Sequence, residues 1–230
     1  MGMSICKDSM KFDLAIFAGG LGSRLLNTES MPKPLVDING ITLLSRLILS
    51  LEQTNSFKSF YILTCCDSAI FLEKLNNEIK GLPYKICNED NRTGRIGAIS
   101  NFLLLNKNID KFFVCNGDTL FTDLDNFEIP KSISKYPEEP TIFLTSADLS
   151  RNDYKKVKLD NLNKNHYQNS GLIYLSRKWF SDMQNKKPNL RDIDEVLFSN
   201  EFHLNYAFLN SSLLDAGTPS RLAQIRKITK

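Results

Sequence analysis

Histidine is the scarcest reactive residue in this chain of 230 residues, which carries only His166 and His203. Chemistry that leans on imidazole has little to work with, and neither histidine is accompanied by the G-x-S-x-G turn of a Ser-His-Asp hydrolase. Cysteine offers no framework either. Cys6, Cys65, Cys66, Cys87 and Cys115 make an odd count without a C-x-x-C pair, which fits neither a disulfide scaffold nor a zinc site. Four of them sit in or beside apolar runs and read as small buried hydrophobes in a reducing cytosol. No segment approaches the roughly 20 apolar residues of a membrane helix. The N-terminus, charged at Lys7 and Asp8, lacks an apolar stretch of signal-peptide length. An excess of charge is missing too: 29 Lys plus Arg against 26 Asp plus Glu leaves +3, without the clustered basic face of a nucleic-acid binder. The expectation is a cytoplasmic protein with neither membrane nor nucleic acid as a partner.

What the chain does have is globular composition. Hydrophobic residues at 42% and charged residues at 24% exclude a disordered or fibrous chain. Leu14 to Phe17 reads as a strand followed by a Gly-rich turn. Thr42 to Gln53 places Leu43, Leu44, Leu47, Ile48 and Leu51 at helical spacing. Strands are expected at Phe60–Thr64, Tyr84–Cys87 and Phe112–Cys115, with helices at Ser68–Ile79 (capped by Asp67 or Ser68) and Gly97–Leu105. This β-α-β-α-β-α-β alternation is the pattern of a mainly parallel sheet with helices on its faces. The second half reads less regularly. Strands are expected at Thr141–Thr145, Gly171–Leu175 and Leu204–Leu209, and helices near Ile193–Phe198 and Pro219–Ile228. The polar stretch Asp148–Asn169 reads as loop with at most one short strand.

The first strand runs directly into Ala18-Gly19-Gly20-Leu21-Gly22-Ser23-Arg24-Leu25. Ligands of open parallel sheets bind at the carboxyl ends of strands, and glycines there let backbone N–H groups approach phosphate oxygens. The loop is neither a dinucleotide fingerprint, which needs a third glycine where Leu25 stands, nor a Walker A loop, which needs Gly-Lys-Ser/Thr where Ser23-Arg24 stands. Arg24 supplies a planar, permanently charged fork suited to polyphosphate oxygens. In Met31-Pro32-Lys33-Pro34, the two prolines are expected to hold Lys33 in extended, stiff backbone and so to aim its ammonium. Two aspartates complete the set. Asp118 lies in Cys115-Asn116-Gly117-Asp118-Thr119, and Asp215 in Asp215-Ala216-Gly217-Thr218-Pro219. Mg²⁺ prefers one or two carboxylates plus phosphate oxygens and water, which two aspartates from distant segments could provide. Turn chemistry at Asn-Gly-Asp, and local capping by Asp215 before a Thr-Pro helix start, are the structural alternatives.

Together, Ala18 to Leu25 and Pro32-Lys33-Pro34 resemble the activation loop of sugar-1-phosphate nucleotidyltransferases (nucleotide-sugar pyrophosphorylases). The likeness extends from Phe12 to about Gln224 and looks most like the D-glycero-D-manno-heptose 1-phosphate guanylyltransferase group. It implies a Rossmann-like three-layer α/β domain with a mainly parallel mixed sheet, the GT-A-like nucleotidyltransferase fold. The implied organisation is a disordered leader over 1–11 and a single domain over 12–230, with a nucleotide half near 12–120 and an acceptor half near 121–218. The implied activity joins a nucleoside triphosphate, GTP favoured, to a sugar 1-phosphate, for surface polysaccharide synthesis.

Residue by residue, the resemblance gives the catalytic contacts to Arg24 and Lys33 and a Mg²⁺ cofactor to Asp118 and Asp215. Nucleotide contacts fall to Ala18, Gly19, Gly20, Leu21, Gly22, Ser23, Glu89, Gly94, Arg95 and Asn116. Acceptor contacts fall to Asn169 and Gly171, with Lys158 and Lys164 standing in for an absent Glu-Lys pair. Where the family has Gly-Thr-Gly-Gly-Ala this chain has Gly94-Arg95-Ile96-Gly97-Ala98, so Arg95 could meet an anionic group of the substrate. That departure keeps a second reading open, a cytidylyltransferase acting on a non-sugar phosphate such as phosphocholine. A non-catalytic nucleotide-binding subunit is a third, disfavoured by the presence of all four charged residues. A homo-oligomer stays open, since no stripe in the sequence marks an interface.

Overall fold

The computed structural model describes residues 10–20, 31–65, 67–89, 91–147, 156–157 (backbone only), 167–197, 199 and 201–229. Strand β1 (Phe12–Phe17) opens the chain, followed by a single tight turn at Lys33–Leu35 and a small hairpin of β2 (Asp37–Ile38) and β3 (Ile41–Thr42). Helix α1 (Leu43–Gln53), β4 (Phe57–Thr64), α2 (Ser68–Glu78), β5 (Tyr84–Asn88), α3 (Gly94–Leu105) and β6 (Lys111–Asn116) complete the expected alternation. Then come β7 (Thr119–Phe121), α4 (Lys131–Lys135), β8 (Thr141–Ser146), β9 (Lys156–Val157) and β10 (Tyr167–Ser176). The chain ends with α5 (Arg177–Lys186), α6 (Ile193–Leu197), β11 (Asn205–Phe208), β12 (Leu213–Asp215) and α7 (Pro219–Ile228).

The main sheet runs in the order β5-β4-β1-β6-β10-β8-β11, with β9 added beside β10. All lateral pairings are parallel except those of β10, which lies antiparallel to β6, β8 and β9. Strands buried on both faces read as continuous apolar runs, which is why Leu14 to Phe17 and Phe112 to Cys115 carry no polar alternation. The pleat still divides them. Leu14, Ile16, Phe113 and Cys115 join the helices α1, α2 and α7 in one core, while Ala15, Phe112 and Val114 join α3, α5 and α6 in the other. The result is the three-layer, mainly parallel α/β sheet implied above.

Several boundaries differ from the sequence expectation. Helix α3 starts at Gly94 instead of Gly97, because Gly94 takes φ +82° and the Ile96 N–H finds the carbonyl of Arg191. Strand β10 starts at Tyr167, so the end of the expected Asp148–Asn169 loop is strand, paired with β8 and β9. Helix α5 was not expected at all. Its sequence RKWFSDMQNK is polar overall, yet Ser176 caps it by accepting from the Trp179 N–H, and Phe180 and Met183 are buried at i, i+3 spacing. Helix α7 keeps its expected bounds, but its cap is Thr218, not Asp215, which lies in β12. Cys87 and Cys115 are buried as expected, and burial pushes both thiols up. Cys65 is only half-buried and donates from Sγ to the Gly19 carbonyl at 3.1 Å. His166, Cys6 and Cys66 lie outside the described residues.

Phe113 is the centre of the core beneath the site. Its ring meets Phe12 at 5.3 Å, Phe57 and Tyr174 at 5.4 Å and Phe143 at 5.7 Å between centroids, mostly edge-on. Phe113→Ala should therefore cost about 3–5 kcal/mol in urea unfolding. A loss below about 1 kcal/mol would mean that the surrounding rings collapse into the space.

Candidate active site

The site forms where β1 and β6 end side by side. Their parallel register sets Phe17 opposite Asn116, so the glycine turn after β1 and the Gly117-Asp118 turn after β6 leave the same edge of the sheet. The Gly117 N–H donates to the Phe17 carbonyl at 3.0 Å. A Cβ on Gly117 would lie 2.6 Å from that same oxygen, so the turn requires glycine. Asp215 reaches this edge by a separate route. Strand β12 pairs antiparallel with β7, matching Asp215 with Thr119, and the Ala216 N–H donates to the Asp118 carbonyl at 3.3 Å.

Lys33 is drawn between the two aspartates. Its Nζ donates to Asp118 Oδ2 at 2.6 Å and to Asp215 Oδ1 at 3.3 Å. The backbone that holds it is not the extended segment expected from its prolines. Pro32 is extended, but Lys33 opens a single 3₁₀ turn closed by a 2.8 Å bond from the Leu35 N–H to the Pro32 carbonyl. Burial of Pro34, Leu35 and Val36 in the core outweighs the preference of a pre-proline residue for extended backbone. A fourth charged group, absent from the sequence reading, completes the constellation. Arg221, in the first turn of α7, donates from Nη1 to Asp215 Oδ2 at 2.8 Å. Its signal lies in the Thr218 cap and Pro219 start, which set the helix so that position 221 faces back toward Asp215.

The donor set suits a hard cation that arrives with other ligands. Among the described residues there is no group of three or more His, Cys, Asp or Glu that could hold a metal by itself. Two carboxylates that share one ammonium, with Asp118 41% exposed, could supply two of the ligands of a hard cation whose shell is completed by phosphate oxygens and water.

Beside this cluster a cleft opens between the turn after β1 and the start of α3. Gly19, Gly20, Glu89, Gly94 and Arg95, five of the residues the resemblance gives to the nucleotide, line it together with Phe17, Leu63, Cys65, Arg92, Thr93 and Ala98. Of these, Arg92, Thr93 and Ala98 flank the Gly94-Arg95 segment in sequence, whereas Phe17, Leu63 and Cys65 carried no motif and are brought in by the topology. Ala18 is buried behind the cleft, its N–H donating to the Leu63 carbonyl at 2.7 Å. Glu89 Oε2 accepts from the Thr93 hydroxyl at 2.7 Å, which fixes the approach to α3. Leu21, Gly22, Ser23 and Arg24 lie outside the described residues.

Arg95 does line the cleft, but it is not a free anion receptor. Its Nη2 lies 2.5 Å from Asp192 Oδ1 and 2.6 Å from Asp194 Oδ2, and its guanidinium sits 5.9 Å from the centre of the Phe17 ring. Burial opposes its charge, yet Asp194 and Asp192 overcome that and hold its pKa above the ordinary arginine value. The sequence reading offered Arg95 to an anionic group of the substrate; here its guanidinium is paired with Asp192, just before α6, and with Asp194 in the first turn of α6. The same segment is pinned a second way, since a Cβ on Gly94 would lie 2.5 Å from the Arg191 carbonyl. Arg191 in turn donates to the Arg92 carbonyl at 2.6 Å.

On the other side of Asp118, Gly171 takes φ +79° and packs so closely on Asn116 that a Cβ would lie 2.7 Å from its Nδ2. Asn169 Oδ1 accepts from the Gly171 N–H at 2.9 Å. Asn116, at the end of β6, and Asn169 and Gly171, at the register break of β10, therefore form one cluster near Asp118, and Asn116 faces this cluster, not the cleft around Arg95. Lys158 and Lys164 lie outside the described residues.

A sheet of this topology, with a glycine turn, a lysine and two aspartates gathered at its carboxyl edge, defines a nucleotidyltransferase fold. Comparison with known proteins supports that class. The model of the MobA-like NTP transferase domain matches residues 14–129, and the chain belongs to that family. The bifunctional protein GlmU of Methanococcus maripaludis is 28% identical over 188 residues, 78% of this chain and 44% of that protein. The chain thus spans less than half the length of this curated relative. Among solved structures, HddC from Yersinia pseudotuberculosis is similar with a TM-score of 0.75 and 26% identity, covering 95% of this chain and 100% of that one. UDP-glucose pyrophosphorylase complexed with UDP-glucose shares the fold, with a TM-score of 0.71 and 15% identity over 96% of this chain and 98% of that one.

The ion pairs of Arg95 should hold the segment before α6 against the start of α3. Arg95→Ala should give faster amide hydrogen exchange in Ile193–Leu197. Unchanged exchange there would show that the pairs contribute nothing to the wall of the cleft.

Proposed function

We propose that the protein transfers a nucleotidyl group from a nucleoside triphosphate, GTP favoured, to a sugar 1-phosphate and releases pyrophosphate, as one step of nucleotide-sugar supply for surface polysaccharide. The observation that carries this reading is the convergence of Lys33, Asp118 and Asp215 within hydrogen-bond reach of one another, between the cleft and the Asn169–Gly171 turn. The family match and the likeness to HddC support the donor and acceptor classes.

In this reading the base and ribose occupy the cleft from Phe17 to Ala98, and the triphosphate runs along the glycine turn toward Lys33. The acceptor phosphate approaches from the Asn116, Asn169 and Gly171 side. Its second ionisation lies near pH 6, so the attacking oxygen is already anionic at neutral pH and no side chain has to remove a proton. The protein's task is then positioning and charge neutralisation. Lys33 neutralises phosphate oxygens near the reacting phosphorus, and Arg24 is proposed to hold the departing pyrophosphate. Asp118 and Asp215 would hold Mg²⁺, which supplies Lewis-acid polarisation of the phosphate oxygens when bound. Arg221 fixes the Asp215 carboxylate from its far side. Lys158 and Lys164 remain proposed contacts of the acceptor phosphate, and the folded unit is proposed to act in the cytoplasm.

Pyrophosphate release over a grid of nucleoside triphosphates and phosphorylated acceptors with Mg²⁺ tests this directly. Release should be highest with GTP and a sugar 1-phosphate, and no release with any pair would reject the enzyme reading. Asp118→Asn, Asp215→Asn and Lys33→Ala should each lower turnover by about 100-fold or more while the circular-dichroism spectrum is kept. Wild-type rates in either aspartate variant would remove that carboxylate from the site.

A further inference from the structure

In this structure an ammonium lies between the two carboxylates proposed to take the divalent cation. Lys33 Nζ spans Asp118 Oδ2 and Asp215 Oδ1, and Arg221 Nη1 holds the remaining oxygen of Asp215. Lys33 and Asp215 are nearly enclosed, their side chains 11% and 9% exposed, whereas Asp118 opens to solvent. Among these four groups the formal charges cancel. A divalent cation added beside the ammonium would leave a net charge of about +2 around the nearly enclosed Lys33 and Asp215, where like charges repel strongly. Cation and ammonium therefore compete for the same two oxygens. Taking Lys33 away without a replacement is also unfavourable, because Asp118 and Asp215 would then repel each other.

We infer that Lys33 is the resident counter-ion of the Asp118–Asp215 pair, and that it yields the pair only to a cation that arrives with a polyphosphate. The polyphosphate gives Lys33 new anionic oxygens within the same small space, so its ammonium is never left unpaired. Lys33 thus has two stations, the carboxylates in the free protein and the phosphates in the loaded one. Arg221 stays on Asp215 in both and keeps that carboxylate aimed. Two consequences follow from linkage: the bare cation binds the free protein weakly, and nucleotide and cation strengthen each other's binding by the same factor. This inference rests on the proposed function, since it assigns the cation to the same two aspartates.

Mn²⁺ is the probe, its binding to the full chain followed by electron paramagnetic resonance without nucleotide. Lys33→Met should bind Mn²⁺ about tenfold or more tightly than wild type, because the competing charge is gone. Lys33→Arg, which keeps a cation across the pair, should stay as weak as wild type. Adding Asp118→Asn to Lys33→Met should abolish the gain and so locate the ion on the pair. Equal affinity in wild type and Lys33→Met overturns the inference. Should Lys33→Met fail to fold, judged by its thermal melt, Lys33→Gln serves in its place. Wild-type protein that binds Mn²⁺ stoichiometrically at sub-millimolar concentration without nucleotide overturns the inference with no variant needed. The proposed reaction is judged separately by pyrophosphate release. A gain in Mn²⁺ affinity without release would leave the counter-ion role standing and reject the reaction.

Discussion

The parallel pairing of β1 with β6 is the constraint on which the site depends. A parallel pair ends both strands at one edge, so the turns that follow them must share the space beyond it. Here the register sets Phe17 against Asn116, and the close approach of Gly117 to the Phe17 carbonyl locks the two turns together. Asp118 is placed by that lock. Asp215 is then placed by Asp118's own neighbours, through the β7–β12 pairing and the Ala216 N–H. Lys33 comes last: its turn is anchored by burial of Pro34 and Leu35 against α1, which leaves only the side chain to span the gap. Three segments far apart in the chain are thus positioned by strand pairing, a backbone hydrogen bond and burial, independently of the ion pairs.

Seen this way, the ion pairs select conformations more than they hold the fold. Partly enclosed charges contribute little net stability, because desolvation offsets much of the attraction, but removing one partner leaves the other exposed to that cost. The site therefore prefers to exchange one cation for another over losing a cation outright. The Arg95 cluster follows the same logic on the other wall of the cleft. Asp192 and Asp194 neutralise a guanidinium that burial would otherwise disfavour, and the ring of Phe17 covers one side of it. Arg95 can thus stand at the start of α3 with its charge directed into the protein's own wall.

Local signals in the sequence account for much of this. Continuous apolar runs marked β1, β4 and β6, since a parallel strand buried on both faces has no polar side. A Thr-Pro start marked α7 to the residue. Asp118 stood out because it directly follows an apolar strand, and Asp215 because its Asp-x-Gly-Thr-Pro stretch resembles a family motif, although the structure makes Asp215 the last residue of β12. What escaped was whatever depends on a distant partner. The pairing of Arg95 joins residues 97 positions apart and leaves no trace in spacing. Arg221 looked like any charged residue in the first turn of a helix until β12 brought Asp215 beneath it. Helix α5 was hidden because only two of its ten residues are buried, too few to raise an apolar stripe above a polar background. Lys33 was given the wrong backbone, since the propensity of a Pro-Lys-Pro segment knows nothing of the core beneath Pro34.

The shortage of histidine acquires a physical meaning from the position of the one that is described. His203 precedes β11, at the amino edge of a strand that runs parallel to β8, opposite the carboxyl edge where Lys33, Asp118 and Asp215 gather. It is 76% exposed and paired with Glu139. Its imidazole cannot reach the site without refolding the sheet. The reaction proposed here makes no demand on it, because a phosphate nucleophile is ionised before it binds, and the barrier lies in bringing anions together. That barrier responds to fixed positive charge at close range, which a chain with a net charge of +3 can supply only by placement. A 3₁₀ turn that aims Lys33, a helix start that aims Arg221 and a sheet edge that aims two carboxylates are the devices by which a nearly neutral protein makes one strongly structured electrostatic site.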